Sequence, residues 1–215
     1  MVYKLYYFDV RFLAEPARLM LTAAGEKFED VTWSRDEWEE WKKKSPKGKA
    51  PWLEVDGHVI PESTAINRFL GNRFGFSGKD EYERAIVDSV ADVMKDAFNQ
   101  AKPYLFVRGG FTQGDESKLA TDSFWPAMES GFPYIKKVLD ESKSGFIVPS
   151  GLTWADLWIV ENIIMYRDLL HEFSTRYTWV DDYVNRVHGD PRIKDYVESR
   201  KHYRISYING PVRKL

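Results

Sequence analysis

A tyrosine near the amino terminus is the first residue whose position suggests chemistry. Tyr7 lies in the run Leu5-Tyr6-Tyr7-Phe8, which has the length and aromatic content of a β-strand. A polar corner follows, and then a helical pattern with Pro16 in its first turn and Gly25 at its end. A strand, a corner and a helix predict the first unit of an α/β domain, which binds ligands at the carboxyl ends of its strands. Tyr7 is therefore a candidate for chemistry on a bound ligand.

Two further pairs of residues have the chemistry to bind carboxylates. Trp38 and Lys42 are four residues apart, so a helical turn would present an indole N–H and an ammonium on one face. Glu62 and Ser63 precede a helical pattern, and the unpaired N–H groups and dipole of a helix start attract anions. Taken separately, a partly packed surface face explains the first pair and an ordinary helix cap explains Ser63.

A proline at the entry to a predicted strand provides a third kind of site. Ala50-Pro51 follows the turn-rich segment 45–49, and a cis peptide bond is a candidate there. A cis bond would present the main-chain N–H and C=O of Ala50 to an extended peptide, which could pair with the protein as an added strand. An ordinary strand-entry proline is the alternative for Pro51 alone.

Several other sites are excluded or disfavoured. The chain has no Gly-x-Ser-x-Gly elbow, no Gly-x-x-x-x-Gly-Lys loop and no Gly-x-Gly-x-x-Gly fingerprint. It has no cysteine, which excludes disulfides and a protein thiol nucleophile. Asp156 is best explained as part of a helix capping box with Thr153. We expect no metal site, because the histidines are scattered without ligand spacing: His58, His171, His188 and His202.

The composition predicts an ordered protein that binds neither nucleic acid nor membrane. Its 215 residues are 43% hydrophobic and 15% aromatic, which is enough for a substantial core. The 31 basic and 33 acidic residues nearly cancel, whereas a nucleic-acid-binding surface would be strongly basic. No apolar window reaches the length of a membrane span, and the amino terminus lacks the pattern of a signal peptide. These features predict a cytoplasmic protein.

The order of the predicted elements divides the chain in two. Residues 28–32 alternate as a strand, 33–44 form an irregular segment or short surface helix, and Asp56-Gly57 joins a hairpin. After the glycines of 75–78 the pattern is helical throughout. We expect an α/β domain over 1–76 and an all-helical domain over 79–215. The helices are predicted over 82–105, 116–142, 157–170, 177–187 and 192–200.

Taken together, these segments resemble the cytosolic glutathione S-transferases, and most closely the sigma class and its nematode relatives. The likeness covers the chain up to about Arg200. It rests on motifs that recur in the same order and spacing: Leu5-Tyr6-Tyr7-Phe8, Leu13-Ala14-Glu15-Pro16, Trp38-x-x-x-Lys42, Gly48-Lys49-Ala50-Pro51, Leu53-Glu54-Val55-Asp56-Gly57, Glu62-Ser63-x-Ala65-Ile66, Val87-Asp88-Ser89-Val90-Ala91-Asp92 and Leu152-Thr153-Trp154-Ala155-Asp156-Leu157.

The resemblance implies a fold, an activity and a state of assembly. It implies a thioredoxin-like domain that binds glutathione and an all-α domain that forms most of a pocket for hydrophobic electrophiles. It also implies a homodimer, glutathione as co-substrate and no tightly bound cofactor. In this picture Tyr7 is the catalytic residue: it donates a hydrogen bond to the glutathione sulfur and favours the thiolate, which then attacks the electrophile.

The remaining roles are carried over position by position. Trp38 and Lys42 match contacts to the glycyl carboxylate, and Ala50 before Pro51 matches the residue whose backbone pairs with the cysteinyl part. Glu62 and Ser63 match the pair that holds the γ-glutamyl end. The other implied glutathione contacts are Phe8, Gly48, Lys49 and, from the partner subunit, Asp96. The implied wall of the electrophile pocket consists of Phe12, Phe98 and Tyr104.

Three departures from the family pattern predict weaker thiol activation or affinity. Leu13 stands where many sigma-class members have arginine, Glu62 replaces the usual glutamine, and Trp52 is bulkier than the common aliphatic residue. Two other functions stay open: a glutathione-dependent prostaglandin H to D isomerase, and a non-catalytic binder of haem or other apolar ligands. The basic tail from 202 could supply Ile205 or Tyr207 as pocket wall, but we favour a solvated end.

Overall fold

The amino-terminal part of the protein is a four-stranded sheet with helices. In the computed structural model, which describes residues 1–201 and 203–206, the strands follow the order β2-β1-β3-β4. The central strand β1 pairs in parallel with β2 and antiparallel with β3, which forms the predicted hairpin with β4. The strand bounds are Tyr3–Phe8 for β1, Phe28–Trp33 for β2, Trp52–Val55 for β3 and His58–Pro61 for β4.

The rest of the described chain is mainly helical. Three helices belong to the sheet domain: α1 (Glu15–Ala23), α2 (Trp38–Lys44) and α3 (Ser63–Phe74). The others follow after residue 80: α4 (Glu81–Arg108), α5 (Glu116–Leu119), α6 (Trp125–Ser142), α7 (Trp154–Leu169), α8 (Glu172–Arg176), α9 (Val180–His188) and α10 (Lys194–Ser199). This arrangement confirms a thioredoxin-like domain followed by a helical domain. We propose that the two units are divided as expected, at 1–76 and 79–215.

Alternation along β1 sends neighbouring tyrosines to opposite faces of the sheet. Tyr7 is buried on the same face as Leu5, whereas Tyr6 lies on the other face. The Tyr6 ring stacks on Trp52 with centroids 4.8 Å apart, and its hydroxyl donates to Glu54 Oε2 at 3.3 Å. The bulky Trp52 therefore packs in an aromatic layer on the face away from Tyr7.

The segment after β2 folds as a short helix against this aromatic layer. Ser34 and Glu37 form a capping box before α2, and the ring of Trp33 stacks on Trp41 with centroids 4.6 Å apart. Trp33 is also 6.1 Å from Trp38. The sequence predicted either an irregular segment or a short surface helix over 33–44, and the structure has the helix, α2. Trp38 and Trp41 of α2 pack against Trp33 of β2.

The centre of the helical domain is α7, which is buried along almost its whole length. Its first turn contains the predicted capping box: Thr153 Oγ1 accepts from the Asp156 N–H, and Asp156 accepts from the Thr153 N–H at 2.8 Å. The same carboxylate also accepts from the Ile147 N–H at 2.9 Å and from the Tyr183 hydroxyl at 2.7 Å. Asp156 therefore has the structural role that its sequence position indicates.

Two of the helix predictions need correction. The helix expected over 116–142 is interrupted by a π-helical turn at Ala120–Phe124. Pro126 follows in the first turn of α6, and its missing N–H cannot continue the α-helical hydrogen bonding from α5. The helix expected over 177–187 is preceded by the separate α8, and α9 begins only at Val180.

The two parts of the chain are joined by close packing and by buried charges. Gly71 of α3 lies against the side chain of Trp154 of α7, and the backbone N–H of Trp154 donates to the backbone carbonyl of Phe76 at 2.8 Å. Glu15 of α1 is 1% exposed and accepts hydrogen bonds from Arg18 and Arg200. Arg200 thereby attaches the end of the helical domain to the first helix of the sheet domain.

Ile205 and Ser206, at the end of the described chain, are packed rather than solvated. Ile205 is buried, and the Arg204 carbonyl accepts from the Arg11 N–H at 3.0 Å. The expected solvated end is therefore wrong for this part, which packs beside the corner after β1. Tyr207, the other candidate wall residue, lies outside the described residues.

Candidate functional site

A cleft of about 400 Å³ lies where β1, the amino terminus of α3 and one face of α4 come together. Nine of the residues given a role in the site from the sequence line it: Phe8, Trp38, Gly48, Lys49, Ala50, Pro51, Glu62, Ser63 and Phe98. Its volume lies in the range of small-molecule sites. A smaller cleft of about 280 Å³ beside Lys136 and Arg186 contains none of these residues.

Tyr7 lies just beneath the lining of this cleft. Its side chain is 5% exposed, and its ring makes an edge contact with Phe8 at a centroid distance of 5.5 Å. The antiparallel pairing of β1 with β3 ends at Tyr6 and Trp52, so Tyr7 follows immediately after the last paired residue of β1. Its neighbour Phe8 belongs to the cleft lining. Tyr7 therefore lies behind the cleft wall, at the carboxyl end of β1.

The loop before β3 forms one side of the cleft. The Lys49 N–H donates to Ser45 Oγ at 2.9 Å, and Gly48 adopts the positive φ of +63° that glycine tolerates best. The peptide bond between Ala50 and Pro51 is cis, as expected. Lys42 does not line the cleft itself, but its aliphatic stem lies over Gly48, with Cγ 3.9 Å from where a Cβ would stand.

Glu62 occupies an unusual backbone conformation at the start of α3. Its φ of +72° is rare for a residue with a side chain, and such conformations are concentrated at functional sites. Lys47 Nζ lies 2.7 Å from Glu62 Oε1, and this contact is the main reason why the pKa of Glu62 lies below its ordinary value. Lys49 and Lys95 lower that pKa further. The carboxylate that replaces the usual glutamine is therefore balanced by a lysine across the cleft.

Aromatic side chains form the opposite wall. Phe12, Phe98 and Trp158 form a cluster with centroid distances of 5.6, 5.8 and 6.4 Å. Phe98 and Trp158 line the cleft, and Phe12 is packed behind them with a φ of +28°. Leu13 also lines the cleft, and it presents an aliphatic side chain there.

Two predicted residues lie away from the cleft. Tyr104 is buried in the helical core against Phe124, with ring centroids 5.0 Å apart, and burial raises its pKa to about 12. Its assignment to the pocket wall therefore needs correction, because the apolar face of α4 at this point turns into the bundle. Asp96 is exposed on α4 and is not part of the cleft lining.

The sequence interpretation missed several residues that line the cleft. They are Lys47, Pro61, Thr64, Lys95, Asn99, Lys102 and Trp158. Four lining residues, Lys95, Phe98, Asn99 and Lys102, have the i, i+3, i+4, i+7 spacing of one helix face, which is visible in the sequence. Only knowledge of the tertiary packing shows that this face borders a cleft rather than bulk solvent.

Two kinds of site are not found in the part of the chain that the structure describes. Within residues 1–201 and 203–206, no group of three or more His, Asp or Glu side chains could hold a metal ion. None of the helices in these ranges combines the length and apolar composition needed to cross a bilayer.

Two family models match the chain. The family model described as "Glutathione S-transferase, N-terminal domain" matches residues 3–72, and the one described as "Glutathione S-transferase, C-terminal domain" matches residues 102–200. The chain is 39% identical to "Glutathione S-transferase 1" of Ascaris suum over 198 residues, which are 92% of this chain and 96% of that protein.

Solved structures give the same result. The crystal structure of monomeric Na-GST-3, a glutathione S-transferase from the hookworm Necator americanus, superposes with a TM-score of 0.85 at 39% identity, covering 93% of this chain and 98% of that one. The structure of prostaglandin synthase D of Nilaparvata lugens superposes with a TM-score of 0.81 at 27% identity over the same shares of the two chains.

Proposed function

The chain belongs to the glutathione S-transferase family and conjugates glutathione to electrophiles, and we propose that Tyr7 is the residue that activates the thiol. The observation that carries this assignment is the contact of the buried Tyr7 ring with Phe8, a residue of the cleft lining, at a centroid distance of 5.5 Å. A phenol that donates a hydrogen bond to sulfur favours the thiolate over the thiol. In this role Tyr7 stays protonated and acts as a donor, not as a general base.

The rest of the cleft suits an extended tripeptide with a charge at each end. We assign the γ-glutamyl end to Glu62 and Ser63, where the start of α3 offers N–H groups to a carboxylate and Glu62 faces the ammonium. The backbone of Ala50 pairs with the cysteinyl part. Trp38 and Lys42 bind the glycyl carboxylate, and the stem of Lys42 lies over Gly48 of the cleft lining.

Thiol ionisation sets the magnitude of the catalytic effect. A free thiol has a pKa near ~8.5, so only a few per cent is ionised at neutral pH. A decrease of roughly two units corresponds to about 2.7 kcal/mol and increases the thiolate fraction roughly 20-fold. Leu13 offers no further donor, so we expect the activation to depend mainly on Tyr7.

The electrophile occupies the aromatic side of the cleft in this proposal. Phe98 and Trp158 form the exposed part of that wall, and Phe12 supports them from behind. We also propose a homodimer in which Asp96 reaches the glutathione of the partner subunit. Its exposure on α4 leaves it accessible to a second chain. We place the enzyme in the cytoplasm, where glutathione is kept reduced. We also propose that it holds no tightly bound cofactor.

A second candidate function is isomerisation of a prostaglandin endoperoxide, favoured by the likeness to prostaglandin synthase D of Nilaparvata lugens. The two functions separate in one experiment that compares turnover of a chloronitrobenzene with turnover of prostaglandin H. Conjugation of the chloronitrobenzene, with little isomerisation, supports the transferase. Glutathione binding without turnover of either compound would contradict both and indicate a non-catalytic binder of apolar ligands.

A further inference from the structure

Ser45 is the residue at which helix α2 ends and the loop before β3 begins. Its backbone N–H donates to the carbonyls of Trp41 and Lys42 at 3.0 and 3.3 Å, which closes the last turn of the helix. Ser45 does not line the cleft, whereas Gly48 and Lys49 of the same loop do. It therefore stands behind the part of the lining to which we assign glutathione.

The side chain of Ser45 holds Lys49 by both of its main-chain groups. The Ser45 Oγ accepts from the Lys49 N–H at 2.9 Å and donates to the Lys49 carbonyl at 2.5 Å. One hydroxyl can do both, because it has a proton and two lone pairs. Gly48, which lies between the two residues, has a positive φ of +63° and would otherwise allow the loop many conformations. The two hydrogen bonds therefore fix the shape of this loop.

The bond to the Lys49 carbonyl also sets the direction of the next N–H. In the part of the chain that the structure describes, the cis peptide bond is that between Ala50 and Pro51, so the preceding bond between Lys49 and Ala50 is trans. The C=O and the N–H of a planar trans peptide point in opposite directions. The Ala50 N–H therefore points away from Ser45, and it donates to no other group of the described chain.

We propose that Ser45 is a positioning residue for glutathione: by binding the Lys49 carbonyl, its hydroxyl turns the Ala50 N–H into the cleft, toward the cysteinyl part. The inference rests on the proposed function and adds to it a residue that does not touch the substrate. Ser45 also ends the helix that carries Trp38 and Lys42. It therefore fixes the groups assigned to the cysteinyl part relative to those assigned to the glycyl carboxylate.

The test is Ser45→Ala, which removes both hydrogen bonds and adds no bulk. We expect the KM for glutathione to rise about fivefold to tenfold, because the loop must then be ordered when glutathione binds. The kcat at saturating glutathione should stay within about twofold of the wild type, as for a loss of uniform binding. The KM for a chloronitrobenzene should not change. Loss of folded protein would instead lower kcat and leave both KM values as they are.

Two other variants complete the experiment. Ser45→Thr keeps the hydroxyl on an extended backbone, with φ −69° and ψ 137°, that suits a β-branched residue, and it should restore the wild-type KM. Ser144→Ala is the matched control in a loop outside the cleft. The Ser144 Oγ accepts from the Phe146 N–H at 3.0 Å and donates to the Val148 carbonyl at 2.8 Å. Its loss should leave the KM for glutathione unchanged.

The outcomes separate this inference from the proposed function. A KM for glutathione in Ser45→Ala equal to that of the wild type would overturn the inference alone. An equal rise of this KM in Ser144→Ala, or no recovery in Ser45→Thr, would also overturn it, because the effect would then not depend on the hydroxyl at this position. Failure of the wild type to conjugate glutathione with the chloronitrobenzene would overturn the proposed function and the inference together.

Discussion

The carboxylate of Glu15 offers the sharpest test of how the two domains are held together. It is 1% exposed, and its oxygens lie 2.9 and 3.2 Å from Arg200 and 3.0 Å from Arg18. Arg11 lies 3.8 Å away and also pairs with the buried Glu161. Glu15→Gln keeps the shape of the side chain but turns its amide N–H groups toward the guanidinium groups.

The cost of this change follows from the loss of a buried partner. Breaking a buried ion pair from one side typically costs about 3–5 kcal/mol, because the remaining charge stays buried without compensation. For a chain of this length that corresponds to a fall in Tm of roughly 6–20 °C. Urea unfolding followed by tryptophan fluorescence, at one protein concentration, measures the free-energy change.

A matched control separates the effect of burial from the effect of charge. Glu129→Gln removes the same charge from an exposed pair with Arg176 and should cost less than about 1 kcal/mol. If Glu15→Gln also unfolds within about 1 kcal/mol of the wild type, the buried cluster does not hold the domains together as described.

Three further predictions concern stability. Asp156→Asn should lower the free energy of unfolding, measured in urea, by about 2–4 kcal/mol. Either orientation of the amide turns its NH2 group toward two hydrogen-bond donors. A loss below about 1 kcal/mol would contradict this. Gly71→Ala should cost about 1–3 kcal/mol, since its Cβ would lie 2.6 Å from Trp154 Cδ1, and an unchanged Tm would show that the domain contact can relax. Burial alone would raise the pKa of Glu161, but Arg11 and His188 outweigh it and hold that pKa below its usual value. The resulting stability is present above about pH 4.5 and is lost as the pH falls through the lowered pKa. Glu161→Gln should therefore make the unfolding free energy depend less steeply on pH on the acid side. A slope equal to that of the wild type would contradict this.

The strands of the sheet domain and the start of α7 could be predicted because their signals are local. The aromatic run of β1, the Asp56-Gly57 hairpin and the capping box at Thr153 each depend on residues within a few positions of one another. The break between α5 and α6 was missed, although Pro126 marks it, because the apolar period continues across the proline.

Apart from Phe98, the cleft residues that were predicted all belong to the family motifs. Residues such as Ala50 and Ser63 belong to those motifs, and the structure brings them into one lining. Lys102 could not be assigned, because an exposed lysine on a helix is ordinary until its tertiary neighbours are known. Tyr104 was misplaced for the converse reason: its position on α4 turns it into the core against Phe124.

The central claim is that Tyr7 stabilises a bound thiolate, and a titration of bound glutathione tests it most directly. Ultraviolet absorbance of the thiolate, measured against pH, gives the apparent thiol pKa in the wild type, Tyr7→Phe and Tyr6→Phe. We predict a wild-type pKa roughly two units below the free value of ~8.5, a return toward that value in Tyr7→Phe, and no change in Tyr6→Phe. Equal thiol pKa values in Tyr7→Phe and the wild type, with glutathione still bound, would contradict the account.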